Sequence, residues 1–218
     1  MHELGGIVLV VDDNEAVRES LRTLLQSAGV AVVTFASPAE FLATTIPDAP
    51  CCLILDIRMP GMGGLDLQKE LARQGLAIPI IFLTGHADVP TTVRAMKEGA
   101  VEFLTKPFQP DDLLQTVGQA LEQCRIGMRE HAEFAEWRGR YATLTPQERE
   151  VMSRVTQGLL NKQIAAELRK SEIAVKVNRG RVMAKMQARS LPELVRIADR
   201  LRNTEAGGAP YTKGYTKD

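Results

Sequence analysis

The sequence predicts two domains: an α/β domain on a doubly wound, five-stranded parallel sheet, then an all-α domain of four short helices. Three observations carry this. Short β-branched runs alternate with helical periods over about the first 120 residues. Helix-start signals then recur at short intervals between residues 144 and 202. The charge also divides at the same place. Residues 1–124 hold 8 basic and 16 acidic side chains, a balance of −8; residues 125–218 hold 19 and 11, a balance of +8. The zero net charge of the 218-residue chain is therefore a sum of opposites, and it points to two partners of opposite charge.

The first half reads as five strand–helix units. Ile7–Val11 is a continuous apolar run, as expected of a strand buried on both faces. Val17, Leu21, Leu24, Leu25 and Ala28 follow at helical spacing and stop at Gly29. Val30–Phe35 is the second strand. Ser37-Pro38-Ala39-Glu40 opens a helix: serine caps, proline suits the first position, and the glutamate can reach back to the cap. Cys51–Leu55, Pro79–Leu83 and Val101–Leu104 are the remaining strands. Leu65–Arg73, Thr92–Lys97 and a segment from Pro110 onward are the helices that follow them. Leu114, Val117, Leu121, Cys124 and Met128 sustain the last period. It then fades into a charged stretch, 129–140, carrying Phe134 and Trp137, read as a helical linker over 124–143.

In the second half, Thr145-Pro146-Gln147-Glu148 repeats the capping-box pattern before Val151, Met152 and Val155. A turn at Gly158–Asn161 leads to a helix at Lys162–Leu168, and Ile173–Met186 follows after a second break. Ser190-Leu191-Pro192-Glu193 opens a fourth helix at Leu194–Leu201. Two helices joined by a tight turn inside such a unit predict a helix-turn-helix. Residues 203–218, with their glycines, Pro210 and a repeated Tyr-Thr-Lys, read as a disordered tail.

Other classes are excluded early. Cys51, Cys52 and Cys124 are odd in number and form no CxxC, which reads as reduced, buried thiols of a cytoplasmic protein. No apolar stretch approaches the roughly 18 residues a membrane span needs. The N-terminal sequence has no signal-peptide pattern, and no membrane partner is expected.

In a doubly wound sheet the ligand site lies beyond the carboxyl ends of the strands. Those ends read Asp12-Asp13, Asp56, Thr84 and Lys106. Alone, Asp12-Asp13 reads equally well as the cap of the next helix. Asp56 and Lys106 fall on the same rim, and this favours a site. Clustered carboxylates repel one another unless cations offset them, and a hard divalent metal with oxygen ligands would do so. The chemistry supported is phosphoryl transfer to a carboxylate. Gly61–Gly64 lacks the GK[ST] of a phosphate loop and reads as a turn over the site. His2, His86 and His131 are too scattered for a metal centre, and His86 reads as a loop residue.

Val10-Val11-Asp12-Asp13-Asn14, Leu55-Asp56-Ile57-Arg58-Met59-Pro60-Gly61, Thr84-Gly85-His86 and Lys106-Pro107-Phe108 resemble the motifs of response-regulator receiver domains, which have a flavodoxin-like fold. The resemblance spans about residues 5–123. It implies a partner sensor histidine kinase that phosphorylates Asp56. It implies Mg²⁺, or another divalent cation such as Mn²⁺ or Ca²⁺, on Asp12, Asp13, Asp56 and the Arg58 carbonyl. It implies Lys106 on the phosphoryl oxygens, Thr84 and Phe103 as switch residues, and a cis Lys106–Pro107 bond.

Leu144–Val151, Gly158–Ala165 and Val175–Arg179 resemble the LuxR-type helix-turn-helix, and the whole chain is similar to FixJ/NarL-type regulators. The implied reading helix carries Lys176, Val177, Asn178, Arg179, Gly180, Arg181 and Lys185, with Lys162 on the preceding helix. Lys176, Val177 and Gly180 fall on the base-reading side, while Arg179, Arg181 and Lys185 suit phosphates. A solvated basic face is the plain alternative. The sequence departs from the family at Ala174 and Asn178, where threonine and histidine are usual. The resemblance implies double-stranded DNA as partner, a homodimer on phosphorylation, and contact with RNA polymerase. A small-molecule phosphatase would need a cap over the rim, which the short loops do not provide. A protein-binding adaptor is disfavoured by the +8 half.

Overall fold

The structure, a computed structural model, describes residues 5–85 and 89–206, the last four by backbone alone. It divides into two compact units, with the described chain passing from the first to the second between Arg129 and Glu130.

The first unit is a parallel sheet of β1 (Ile7–Val11), β2 (Ala31–Phe35), β3 (Cys51–Leu55), β4 (Ile80–Thr84) and β5 (Glu102–Thr105), in the order β2-β1-β3-β4-β5. Intervening helices are α1 (Glu15–Ser27), α2 (Pro38–Leu42), α3 (Gly64–Arg73) and α4 (Val89–Lys97), with α5 (Pro110–Ala142) following β5. β3 and β4 are buried at every position, which is why their sequences are unbroken apolar runs. Alternate residues of each strand feed opposite cores. Leu9, Leu53, Leu55 and Phe82 pack in one cluster with Leu67 and Leu71 of α3. Val8, Cys52, Ile54 and Leu83 pack in the other with Leu21 and Leu25 of α1 and Leu113 and Val117 of α5.

Strand order places β1 and β3 side by side, with Val11 paired to Leu55. β4 lies next, and Thr84 pairs with Thr105 of β5. β1, β3, β4 and β5 each end one residue before, or on, a predicted rim residue; β2 does not. α4 begins three residues earlier than expected. Pro90 looks like a breaker, but proline is tolerated in a first turn.

α5 runs for 33 residues. Its first half buries Leu113, Val117, Leu121 and Cys124 in the first unit, while Phe134, Trp137 and Tyr141 pack against the core of the second. The predicted linker is thus helical almost throughout. In the second unit, α6 (Pro146–Thr156), α7 (Asn161–Leu168), α8 (Glu172–Met186) and α9 (Leu191–Ala206) bury Val151, Ile164, Val175, Val182 and Leu194. The tail expected from 203 is corrected in part: α9 continues to Ala206, and residues 207–218 lie outside the described residues. His2 and His86 lie outside them too.

Candidate functional sites: an acidic rim and a basic helix

The rim is assembled by the loops after β1, β3 and β5. Asn14, and neither aspartate, caps α1, accepting from the Ala16 and Val17 amides. That releases the Asp12 and Asp13 carboxylates from helix duty. Asp12 is buried, and its Oδ1 accepts the Asn14 amide at 2.9 Å. Arg18, one turn into α1, donates to the carbonyls of Asp12 at 2.8 Å and Asp13 at 3.0 Å and fixes the loop. Asp56 Oδ1 accepts the Arg58 amide at 3.2 Å. Gly64 packs directly against the Asp56 backbone: a Cβ there would lie 2.3 Å from the Asp56 carbonyl oxygen. Glycine is required at this position by close approach.

Lys106 Nζ donates to Asp12 Oδ2 at 2.6 Å and to Asp56 Oδ2 at 3.2 Å. Its lead-in is the cis Lys106–Pro107 bond expected from the resemblance. Carboxylate oxygens of Asp12, Asp13 and Asp56 lie within 4.8 Å of one another. One ammonium against three carboxylates leaves an excess of two negative charges. The donors are all hard oxygens, and Asp13 is exposed, so bound waters can be kept. This donor set fits Mg²⁺. Thr84 ends β4 and is 1% exposed. Phe103 on β5 is half-buried, its ring 6.4 Å from that of Phe82 and tilted by 40°. The rim therefore brings together Asp12, Asp13, Asp56 and Lys106.

The second site is α8. Ser171 caps it, accepting the Ala174 amide, so alanine in place of threonine leaves the cap intact. Val175, Asn178, Val182 and Met186 face inward. Ile173, Lys176, Val177, Gly180, Arg181 and Ala184 are all exposed and recur at helical spacing, forming one outward strip. Lys162 is exposed near the start of α7. Arg179 is half-buried and donates to Asn161 Oδ1 at 3.1 Å, which joins α8 to the start of α7.

Two of the predicted DNA-contact residues have places of their own in the fold. Asn178 is buried and turned away from the strip. Lys185 is half-buried at the surface, donating to Glu148 Oε2 at 2.6 Å and to the Thr143 carbonyl at 3.1 Å. Glu148 is itself buried and closes the α6 capping box with Thr145. The Lys185 bond, then the Thr145 amide, hold its carboxyl below the usual carboxylate range.

Two family models match the chain. Residues 8–118 match the response regulator receiver domain, and residues 142–198 match the luxR family of bacterial regulatory proteins. The chain belongs to the response regulators. Nodulation protein W of Bradyrhizobium diazoefficiens is 51% identical over 196 residues, covering 90% of this chain and 86% of that protein. The transcriptional regulatory protein FixJ of the same organism is 43% identical, covering 89% and 95%. Among solved structures, the response regulator StyR matches with a TM-score of 0.78 at 44% identity, covering 89% of this chain and 98% of that one.

As a response regulator the chain couples a receiver domain to a LuxR-type DNA-binding domain, and it acts in two-component transcriptional regulation. A receiver implies a histidine kinase partner, and its family typically binds Mg²⁺. No helix among the described residues is long and apolar enough to cross a membrane. Sequence reasoning missed Arg18, whose position one turn after Asn14 was the available signal. It also missed Ile173, the 77% exposed isoleucine that extends the α8 strip.

Proposed function

We propose that Asp56 is the phosphoacceptor of this response regulator. A carboxylate oxygen of Asp56 attacks the phosphorus of a kinase phosphohistidine, a P–O bond forms as the P–N bond breaks, and the imidazole leaves. The observation that carries this is the Lys106 ammonium held between Asp12 and Asp56. From there it reaches an oxygen of a phosphoryl group on Asp56. Asp13, Asp56 and the Arg58 carbonyl would hold Mg²⁺, with Asp12 assisting. The bound metal would neutralise charge on the phosphoryl oxygens. The Thr84 hydroxyl then bonds the phosphoryl group and Phe103 turns inward, shifting the receiver between two conformations. The same site supports slow hydrolysis of the acyl phosphate.

The receiver works as residues 1–123, with 124–143 as its helical linker to the DNA-binding domain. Phosphorylation favours a homodimer whose two α8 helices bind paired half-sites in DNA, with contact to RNA polymerase following. Lys176, Val177 and Gly180 face the bases. Ile173 and Val177 offer methyl groups to thymine, while Lys162, Arg179 and Arg181 face phosphates. Asn178 supports this helix from inside, and Lys185 ties it to Glu148 of α6.

Incubation with a radiolabelled acyl phosphate and Mg²⁺ should label the chain, and Asp56→Asn should abolish the label. Label that persists in the variant moves the acceptor elsewhere. Selection from random duplexes with the full chain, with and without beryllium fluoride as phosphoryl mimic, should enrich a paired site; no enrichment in either arm would remove the sequence-reading role.

A further inference from the structure

β3 begins with two adjacent cysteines, and strand alternation sends them to opposite faces. Cys52 enters the cluster packed under α1, while Cys51 shares a cluster with Cys124 of α5. The contact between these two is direct. The Cys51 amide donates to Cys124 Sγ at 3.3 Å, across 73 residues of sequence, and the Cys51 thiol donates to the same sulfur. No disulfide joins any of the three cysteines. We propose that Cys51 and Cys124 form a redox-active dithiol that a hydroperoxide converts to an intramolecular disulfide, tying the first residue of β3 to α5.

The environments make the pair selective. The nucleophile in such chemistry is the thiolate. Cys124 receives two hydrogen bonds from Cys51 and lies beside Arg125, and these bring its thiol down to about 6 against the cost of burial. Burial pushes the Cys52 thiol up to about 12, so it stays protonated and inert. An S–S bond of about 2.05 Å requires the two sulfurs to close from hydrogen-bond contact and to reach the torsion a disulfide demands.

Gly5 and Gly6 lie beside the pair. Both cysteines are almost fully covered, and Gly6 lies against Pro50, next to Cys51, and Leu121, one turn before Cys124. A Cβ at Gly6 would sit 2.8 Å from both the Pro50 carbonyl oxygen and a Leu121 methyl. Arg125, next to Cys124, holds the Gly5 carbonyl at 2.8 Å. Opening this short segment ahead of β1 is a local event, cheaper than unfolding the sheet. A molecule as small as hydrogen peroxide then reaches Cys124.

The steps balance. Cys124 thiolate attacks one peroxide oxygen, giving a sulfenic acid and hydroxide. The Cys51 thiol displaces the sulfenic oxygen, forming the S–S bond, and its proton leaves with that oxygen as water; the proton Cys124 lost on ionising converts the hydroxide to the second water. Two thiols are oxidised, one peroxide is reduced, and two waters result. The bridge would pin the turn at Cys124 on the helix that continues into the DNA-binding unit.

The test uses the reduced full chain, freed of reductant and treated with hydrogen peroxide, then alkylated under denaturing conditions and mapped by mass spectrometry. The expected product is about 2 Da lighter, joins Cys51 to Cys124 within one chain, keeps Cys52 alkylated, and reverts with reductant. Cys52→Ser should still form the bridge. Cys51→Ser should stop at a sulfenic acid on Cys124 that a dimedone-type probe captures. A link through Cys52, a bridge only between two chains, sulfinic acid at Cys124 without a bridge, or no reaction in the wild-type chain would each overturn the proposal. Mapping of the wild-type chain decides the matter even where a variant fails to fold.

Discussion

At the scale of single residues, the rim holds more negative charge than its one lysine offsets. Asp12, Asp13 and Asp56 converge within 4.8 Å, and Lys106 contacts the first and last. Asp13 is the carboxylate without that contact, and it is exposed, so its repulsion is screened but not removed. Asp13→Asn should raise stability in metal-free buffer by roughly 1 kcal/mol. The same change should shrink the stabilisation that Mg²⁺ adds. Urea denaturation with and without Mg²⁺ checks both; a variant less stable than wild type without metal would contradict this account. These residues were legible in the sequence because they directly follow the apolar runs of β1, β3 and β5. Arg18 was not, since its work is done on carbonyls that carry no residue identity.

Glu148 poses a residue-scale question of a different kind. Its side chain is 3% exposed, and Lys185, at 36%, is the cation beside it. Its folded pKa lies below the ordinary value near 4.5, so its contribution is complete above that value and fades as pH falls through the lower, folded one. Lys185→Met leaves a buried carboxylate short of a partner and should cost about 1–3 kcal/mol at neutral pH. The gap between wild type and variant should narrow below about pH 4.5. Thermal melts across pH 3.5–7 read this directly, and a gap that widens on acidification would refute it. The capping box at Thr145–Glu148 could be read from local spacing. The Lys185 bond joins residues 37 positions apart, which no local pattern reports.

At the scale of elements, α8 and α5 show where periodicity informs and where it stops. α8 keeps two clean faces, and its inward row of Val175, Val182 and Met186 was readable from spacing alone. Asn178 is buried on the inward row, and polarity alone does not place it there. Gly180 stands mid-helix on the outward strip, and a Cβ there meets no heavy atom within 4 Å. Gly180→Ala should therefore stabilise the helical unit by about 0.5–1 kcal/mol through reduced freedom of the unfolded chain. A chemical denaturation curve for the full chain, followed at the helical unit's transition, measures it. In α5 the three-four spacing lapses after Met128 and resumes at Phe134. The intervening turns leave one core before the next begins, so they bury little and need no apolar stripe.

At the scale of the whole molecule, zero net charge conceals two units with separate cores, and separate cores imply separate unfolding. The apolar clusters of the sheet unit and of the helical unit share no residue among those described. α5 passes between the units, yet each of its halves packs with its own cluster. The proposed metal ligands all lie in the first unit, so Mg²⁺ should stabilise that unit alone. By linkage, a metal at one hundred times its dissociation constant adds about 2.7 kcal/mol to the state that binds it. Calorimetry of the full chain should therefore resolve two transitions. Raising Mg²⁺ should move one upward by several degrees and leave the other in place. Asp56→Asn should blunt the moving transition, while Gly180→Ala should shift only the stationary one. A single transition that moves as a whole would mean that the two units unfold as one cooperative body, and metal occupancy at the rim would then be felt directly in the stability of the DNA-binding helices.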